Sequence, residues 1–359
     1  MRLLITGVCG FVGSTLARTW LDERSARGES FELIGIDNFA RPGSERNRGD
    51  LTRRGVLVRH GDLRCPEDLA ALPDVDWVID AAANASILAG VDGRVSSRQI
   101  FDHNLSSTIN LLEFCKARRA GFVLLSTSRV YSIGPLCALP LVVRDQAWSV
   151  DEQQSLPTGV SAAGIAESFS TSPPLSLYGA SKLTSEIVAL EYGDAFGFPV
   201  WINRCGVLAG AGQFGRPDQG IFAYWLNAYL RRQPLRYIGF QGTGWQARDL
   251  FHPSDLLPLL ERQFSCMDPA CHRIWNVGGG AENTLSLRQV SDWCEQRWGR
   301  HDVARDERPR PFDIPWMAID ATAARQQFGW RPRLGWQAIL EGIADHAERN
   351  PDWLEISRG

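Results

Sequence analysis

The chain has 359 residues, 44% of them hydrophobic and 22% charged, with a formal net charge of −3 at pH 7. That length and balance suit one large globular unit, or two intimately joined ones, and exclude a disordered chain. Basic residues are spread along the sequence, so there is no electrostatic footprint for nucleic acid or an anionic membrane. No stretch approaches the roughly 18 apolar residues of a membrane span, and the start, MRLLITGVCGFVG, is too short and too rich in Gly for a signal peptide's apolar region. A soluble, cytoplasmic protein is therefore expected. Its eight cysteines include no CxxC pair and its six histidines no HExxH cluster, which implies reduced thiols packed as small apolar residues and chemistry without a metal.

From Met1 to about Cys205, short apolar runs alternate with longer amphipathic ones, the pattern of a doubly wound α/β domain with a parallel sheet. Strands are expected at 2–6, 32–36, 56–59, 76–80, 122–126 and 199–203. Helices are expected at 98–119 and 178–196, the second closed by Gly197 as a left-handed C-cap. Between Tyr131 and Tyr178 lies a stretch rich in Pro, Ser and Gly with no clear period, read as a long loop of the kind that carries function. The remainder, 206–359, reads as a smaller mixed substrate-binding region with helices near 218–232, 254–264, 286–299, 320–328 and 336–348. Its strand at 273–277 is expected to return to the first domain's sheet.

The first strand runs directly into Gly7, Gly10 and Gly13, followed by a helical pattern from Phe11. A Gly-rich turn between strand and helix lets backbone approach a pyrophosphate, whose charge then meets the positive end of the helix dipole. The second strand ends in Asp37, placed to accept hydrogen bonds from an adenosine ribose. A carboxylate there repels the 2′-phosphate of NADP and favours NAD, although Arg41 and Arg46 follow closely and offer an alternative phosphate site. Asp62 follows the third strand, where it can meet the adenine amine or simply be solvated.

Only two residues are lysine, against 36 arginines, and one of them, Lys182, stands four positions after Tyr178. On a helix that spacing puts phenol and ammonium on one face. A phenol must shift by roughly 3 units, about 4 kcal/mol, to serve as a base near neutrality. Lys182 and a positively charged nicotinamide are a plausible source of that shift.

Taken together, GxxGxxG, GDL (61–63), AAA (81–83), Asn104, STSRVY (126–131) and YGASK (178–182) resemble, in order and spacing, the extended short-chain dehydrogenase/reductases of the nucleotide-sugar epimerase and dehydratase group. The resemblance implies a catalytic set of Thr127, Tyr178 and Lys182. It implies NAD held by Gly7, Gly10, Phe11, Val12 and Gly13, by Asp37, Asn38 and Arg41, by Asp62 and Leu63, by Ala81, Ala82 and Ala83, and by Asn104, Tyr178, Lys182 and Cys205. It also implies a homodimer formed through the 98–119 and 178–196 helices.

Dehydratases of this group carry an acidic pair immediately after the catalytic Thr. Ser128 and Arg129 stand there instead, which points to redox-neutral epimerisation. Within the group, GIAES (164–168), GQFGRPDQG (212–220), QARDLFH (246–252), NVGGG (276–280), TLSL (284–287) and RPFD (310–313) before GWRP (329–332) resemble the 2-epimerases of CDP-paratose. Ser132, Gly212, Ile314 and Pro315 depart from that pattern. On this resemblance the substrate is a nucleotide sugar, with a CDP-sugar favoured. Its contacts are expected at Ser86, Thr127, Ser128, Gln213, Asp218, Gln219, Arg248 and Arg310, the last two suited to a diphosphate. A UDP-sugar 4-epimerase, and a catalytically silent dinucleotide-binding sensor, remain open alternatives.

Overall fold

The computed structural model describes every residue except Ser30, Asp92, Arg94, Val95, Met267, Pro269 and Gly359. Seven parallel strands form the central sheet: β1 (Arg2–Thr6), β2 (Glu32–Asp37), β3 (Leu57–His60), β4 (Trp77–Asp80), β5 (Gly121–Thr127), β6 (Val200–Cys205) and β7 (Ile274–Val277). They lie in the spatial order β7-β6-β5-β4-β1-β2-β3. Helices cover both faces, which is why β5 and β6 are buried along their whole length and read as continuous apolar runs. Leu3, Ile5, Val123 and Trp201 point to one face, against Leu16 and Trp20 of α1 (Phe11–Ala26). Leu4, Val78, Phe122 and Ile202 point to the other, against Leu111 and Leu112 of α2 (Ser107–Arg118). The strand order reverses at β1, which opens a crevice at the carboxyl ends of the strands.

Two expectations need correction. The 98–119 segment is not one regular helix: Ser97–Phe101 is α-helical, Asp102–Ser106 forms a π turn, and α2 follows. The π turn shifts the helical register at Asn104, whose side chain then bridges Asn84 and Ser181.

The stretch from Tyr131 to Tyr178 is not a structureless loop either. It holds a short helix, Ile133–Cys137, a hairpin of Leu141–Arg144 with Ala147–Val150, and a small pairing of Val160–Ser161 with Gly164–Ile165. The hairpin turns through Asp145 and Gln146, both at positive φ. Asp-Gln there lacks the glycine that normally announces such a turn, so the sequence signal was weak.

The third long helix, α3 (Leu177–Phe196), begins at Ser176, whose Oγ accepts the Gly179 N–H at 3.0 Å, and ends at Gly197 in the left-handed region, φ +69°. Beyond β6, a small mixed sheet joins Val207–Leu208, Ala247–Phe251, Thr284–Ser286 and Trp316–Met317. Helix Ile221–Leu230 packs Phe222, Leu226 and Tyr229 with Leu340 and Ile343 of helix Trp336–Arg349. A last helix, Trp353–Arg358, was not foreseen, and its Trp353 stacks on Phe214. No helix of the described residues is long and apolar enough to cross a membrane.

One buried ion pair ties β6 to α3. Arg204 donates to both oxygens of Glu186, the closest contact at 2.7 Å, with the two side chains 6% and 1% exposed. Glu186 also accepts from Ser126 on β5. Breaking a buried pair on one side leaves the other charge uncompensated. Arg204→Met is therefore expected to lower unfolding stability by about 3–5 kcal/mol, and the added Glu186→Leu to recover part of that loss, read by chemical denaturation.

Candidate active site

Gly7 follows β1 at φ +58°, and a Cβ there would sit 3.0 Å from Ala82 Cα. A Cβ at Gly13 would strike the Gly7 carbonyl. Side chains at either position would push the turn away from the sheet and fill the cradle. Gly10 caps α1 in an extended conformation with no side-chain hydrogen bond and no acidic residue in the first turn. The positive end of the helix is thus left for a ligand's phosphates.

Asp37 closes β2. Its Oδ2 accepts Cys9 N–H at 2.9 Å and its Oδ1 accepts Phe39 N–H at 2.8 Å, so the carboxylate holds the Gly-rich turn. Burial raises its pKa, and the hydrogen bonds oppose the shift.

Asn38 and Asp62 are joined at 3.1 Å, and Arg64 holds the Asp62 carboxyl well below the usual carboxylate range. Leu63 is buried beside them in the cluster under β2. Arg41 is bound within the protein. Its guanidinium reaches across to Gln219 Oε1 at 3.0 Å and to the Phe214 carbonyl. Arg46 is engaged by Asp352.

On the next strands, Thr6 Oγ1 donates to Asp80 and accepts Ala81 and Ala82 N–H, which fixes the Ala81–Ala83 turn at the end of β4. Thr127 ends β5, Cys205 ends β6, and Tyr178 and Lys182 lie on the face of α3 turned toward them. Tyr178 is 8% exposed, Lys182 1% and Thr127 9%.

Desolvation pushes the Tyr178 phenol up to about 12, and the Thr127 hydroxyl and the Arg129 charge pull it back down. Lys182 faces Asp80, Glu186 and Cys205, and burial lowers its pKa. Among the described residues its ammonium has no ion-pair partner within 4.0 Å. A buried cation at the carboxyl ends of the strands with donors to spare is what ribose hydroxyls of a dinucleotide would satisfy. Burial pushes the Cys205 thiol up to about 12, which keeps it neutral.

Two of the expected substrate residues pair with each other, and others bond elsewhere in the protein. Ser86 donates to Asp218. Gln213 donates to the Leu208 carbonyl, and its buried Oε1 has no partner among the described residues. Arg310 donates to the Pro217 carbonyl at 2.7 Å. Arg248 is paired with Asp313 at 2.8 Å. Ser128 opens the 3₁₀ turn Ser128–Val130 that follows β5.

Arg129, read from the sequence only as a missing acid, turns out to be a partly buried cation beside Tyr178. Asp80 and Glu186, the carboxylates facing Lys182, were missed as well. Glu186 carried a signal, since it follows Lys182 at the same four-residue spacing by which Lys182 follows Tyr178.

Cradle, carboxylate and buried Tyr–Lys face together define a dinucleotide-dependent enzyme working at the carboxyl edge of a doubly wound sheet. Residues 3–278 match the model of the NAD dependent epimerase/dehydratase family, and the chain belongs to that family. It is an NAD-dependent epimerase of the extended short-chain dehydrogenase/reductase type.

The chain is 26% identical to the CDP-paratose 2-epimerase of Salmonella typhi over 82% of its own length and 85% of that protein's. It is 28% identical to UDP-glucuronate 4-epimerase 1 of Arabidopsis thaliana, over 92% of its length and 73% of that protein's. Its fold is similar to that of the Bacillus cereus UDP-glucuronic acid 4-epimerase, solved in complex with UDP-glucuronic acid and NAD (TM-score 0.75, 24% identity, 97% of this chain and 99% of that one). The Bacillus anthracis dTDP-glucose 4,6-dehydratase is also similar (TM-score 0.76, 20% identity, 99% of each chain).

Asp37→Ala is expected to weaken NAD binding by about tenfold or more and to reduce the preference for NAD over NADP, because both a ribose acceptor and a repulsive charge are removed. Titration calorimetry with the two dinucleotides checks this.

Proposed function

We propose that this enzyme inverts C2 of a CDP-activated deoxyhexose. NAD supplies a hydride acceptor that is regenerated within the cycle, so the net reaction is neither oxidation nor reduction. Tyr178 takes the sugar hydroxyl proton as the carbon is oxidised and gives it back on reduction. Thr127 holds that hydroxyl within reach of the phenol, and Lys182 binds the nicotinamide ribose. Gly7, Gly10, Phe11, Val12 and Gly13 hold the pyrophosphate, while Asp37 and Asn38 hold the adenosine ribose. Arg248 and Arg310 face the substrate diphosphate, with Ser86, Ser128, Gln213, Asp218 and Gln219 around the sugar and base.

The observation that carries the epimerase reading is the cation at position 129. Elimination of water needs an acid beside the catalytic Thr, and Arg129 in that place has no proton to give at neutral pH. The inversion at C2 draws on the similarity to the Salmonella enzyme and on the segment 164–168. There, Gly164 and Ile165 pack on Ala318–Asp320, and Glu167 accepts the Asn276 N–H at 2.8 Å.

A second reading, a 4-epimerase acting on a UDP-sugar, draws on the similarity to the UDP-glucuronate 4-epimerases, and a surplus of positive charge would suit a sugar that carries a carboxylate. Arg129, Arg248 and Arg310 act on one another with Asp313 as the carboxylate among them. NMR of the products from CDP-, UDP- and GDP-sugars separates the readings by which carbon inverts. Inversion at C4 alone would remove the first. If bound NAD is never reduced by any of these sugars, the chain is a sensor rather than an enzyme.

Tyr178→Phe is expected to retain NAD and to lose turnover by several orders of magnitude. Near-normal activity in that variant would remove the assignment of Tyr178. We also propose a homodimer through the two long helices, where Ile187 and Phe196 are exposed at 56% and 48%. A monomeric mass at micromolar concentration would contradict it.

A further inference from the structure

We propose that Trp353 of the last helix is a positioning residue for the cofactor, holding the NAD cradle together through Phe214. The inference rests on NAD lying along the Gly7–Gly13 turn and Asp37. It brings to the cofactor site a helix well beyond residue 278, where the family match ends.

The last helix has a fixed seat. Arg231, which ends helix Ile221–Leu230, donates to the carbonyls of Ala347, Asn350 and Pro351, and so sets the turn that leads into Trp353. Trp353 is buried. Its indole N–H donates to the Gln213 carbonyl at 2.9 Å, and its ring stacks on Phe214 with centroids 5.0 Å apart and planes at 20°. Arg216 donates to the Ser357 and Arg358 carbonyls. The segment 213–216 is thus fastened to the last helix on either side of Phe214.

From there Phe214 reaches both edges of the cradle. It packs in one buried cluster with Trp353 and with Phe11, the first residue of α1, and Val12 lies against the same cluster. The loop that follows Asp37 and Asn38 meets it as well. Arg41 donates to the Phe214 carbonyl, and Gly43, at φ +87°, has no room for a Cβ, which would strike Ile356 and the Phe214 ring. Polar bonds also tie loop to turn, from Asp37 to the Cys9 N–H and from Asn47 to the Cys9 carbonyl at 2.8 Å. Those bonds fix the turn itself, whereas the aromatic pair fills the space between the start of α1 and the loop. Without the indole a cavity would open behind Phe214, into which the ring can withdraw. A looser cradle then lets NAD leave faster, with less effect on the rate at which it binds.

The test uses the full-length enzyme loaded with radiolabelled NAD and chased with excess unlabelled NAD, well below the unfolding temperature. The label still bound is read by rapid gel filtration. Trp353→Leu is expected to release NAD about fivefold faster or more, and Trp353→Phe, which keeps the stack, to stay within about twofold of the parent. Because Trp353 acts through Phe214, Phe214→Leu should speed release similarly, and the double variant should add little to either single change. Arg297→Ala serves as the control. It breaks the bonds to Glu341, Asp345 and Glu348 on helix Trp336–Arg349 without touching the aromatic cluster, and its release rate should match the parent's.

If Trp353→Leu does not fold, Ile356→Ala makes a smaller change where the last helix meets Gly43, and is expected to speed release about threefold. An unchanged release rate in whichever of these two variants folds overturns the proposal. So does release from Arg297→Ala as fast as from Trp353→Leu, since the effect would then be one of general stability. Failure of the underlying reading shows separately, as NAD binding left unchanged in Asp37→Ala.

Discussion

The structure is organised around one electrostatic problem, an ammonium group sealed inside the protein. Lys182 is almost fully buried and makes no close ion pair within the described residues, a condition that favours the neutral amine. Two carboxylates counter this at a distance. Asp80 ends β4 and is held by hydroxyls from Thr6 on β1 and Thr108 on α2. Glu186 lies one turn further along α3 and is held by Arg204 on β6 and Ser126 on β5. The strands that meet at the crevice and the helix that lines it are therefore tied through groups that also set the charge on one lysine. A change in any of these partners alters both the packing of α3 and the state of the ammonium.

That arrangement divides the positive charges of the site between two tasks. Lys182, committed to its carboxylates, suits the binding of neutral hydroxyls, for which a compact ammonium with rotatable donors is well shaped. The arginines of the site, Arg129, Arg248 and Arg310, reach the backbone of Phe312 and Pro217 and the carboxylate of Asp313, and a planar fork there can meet carboxylates or phosphates. An almost lysine-free composition fits this division: nearly every cation is an arginine and stays charged, and the buried exception is the one whose protonation its surroundings can tune.

Much of the first domain was legible in the sequence because its signals are local. β1, β2, β5 and β6 are apolar runs of strand length, Gly7, Gly10 and Gly13 follow β1 directly, and Gly197 ends α3 where a left-handed cap was expected. What escaped depended on long-range partners. The hairpin at 141–150 has no glycine in its turn, and the π turn at Asn104 goes with side-chain bonds to Asn84 and Ser181, 20 and 77 positions away. The protein contacts of Arg41 are likewise 173 and 178 positions away in the chain. Hydrophobic periodicity says nothing about such contacts. The short strands beyond residue 206, two to five residues long, fall below the length at which alternation can be recognised.

The two lysines also differ in what a reagent in solution would meet. Lys116, with its side chain 39% exposed, lies on α2 over the ring of Phe196 at 4.4 Å and beside Glu113. Lys182 is shut in by the sheet. To an amine-selective label the chain is close to a single-lysine protein. Besides the α-amino group, a dye attached by that chemistry would sit on the α2–α3 surface through which the dimer is proposed to form, and would leave the NAD cradle and the arginine-lined crevice unmodified.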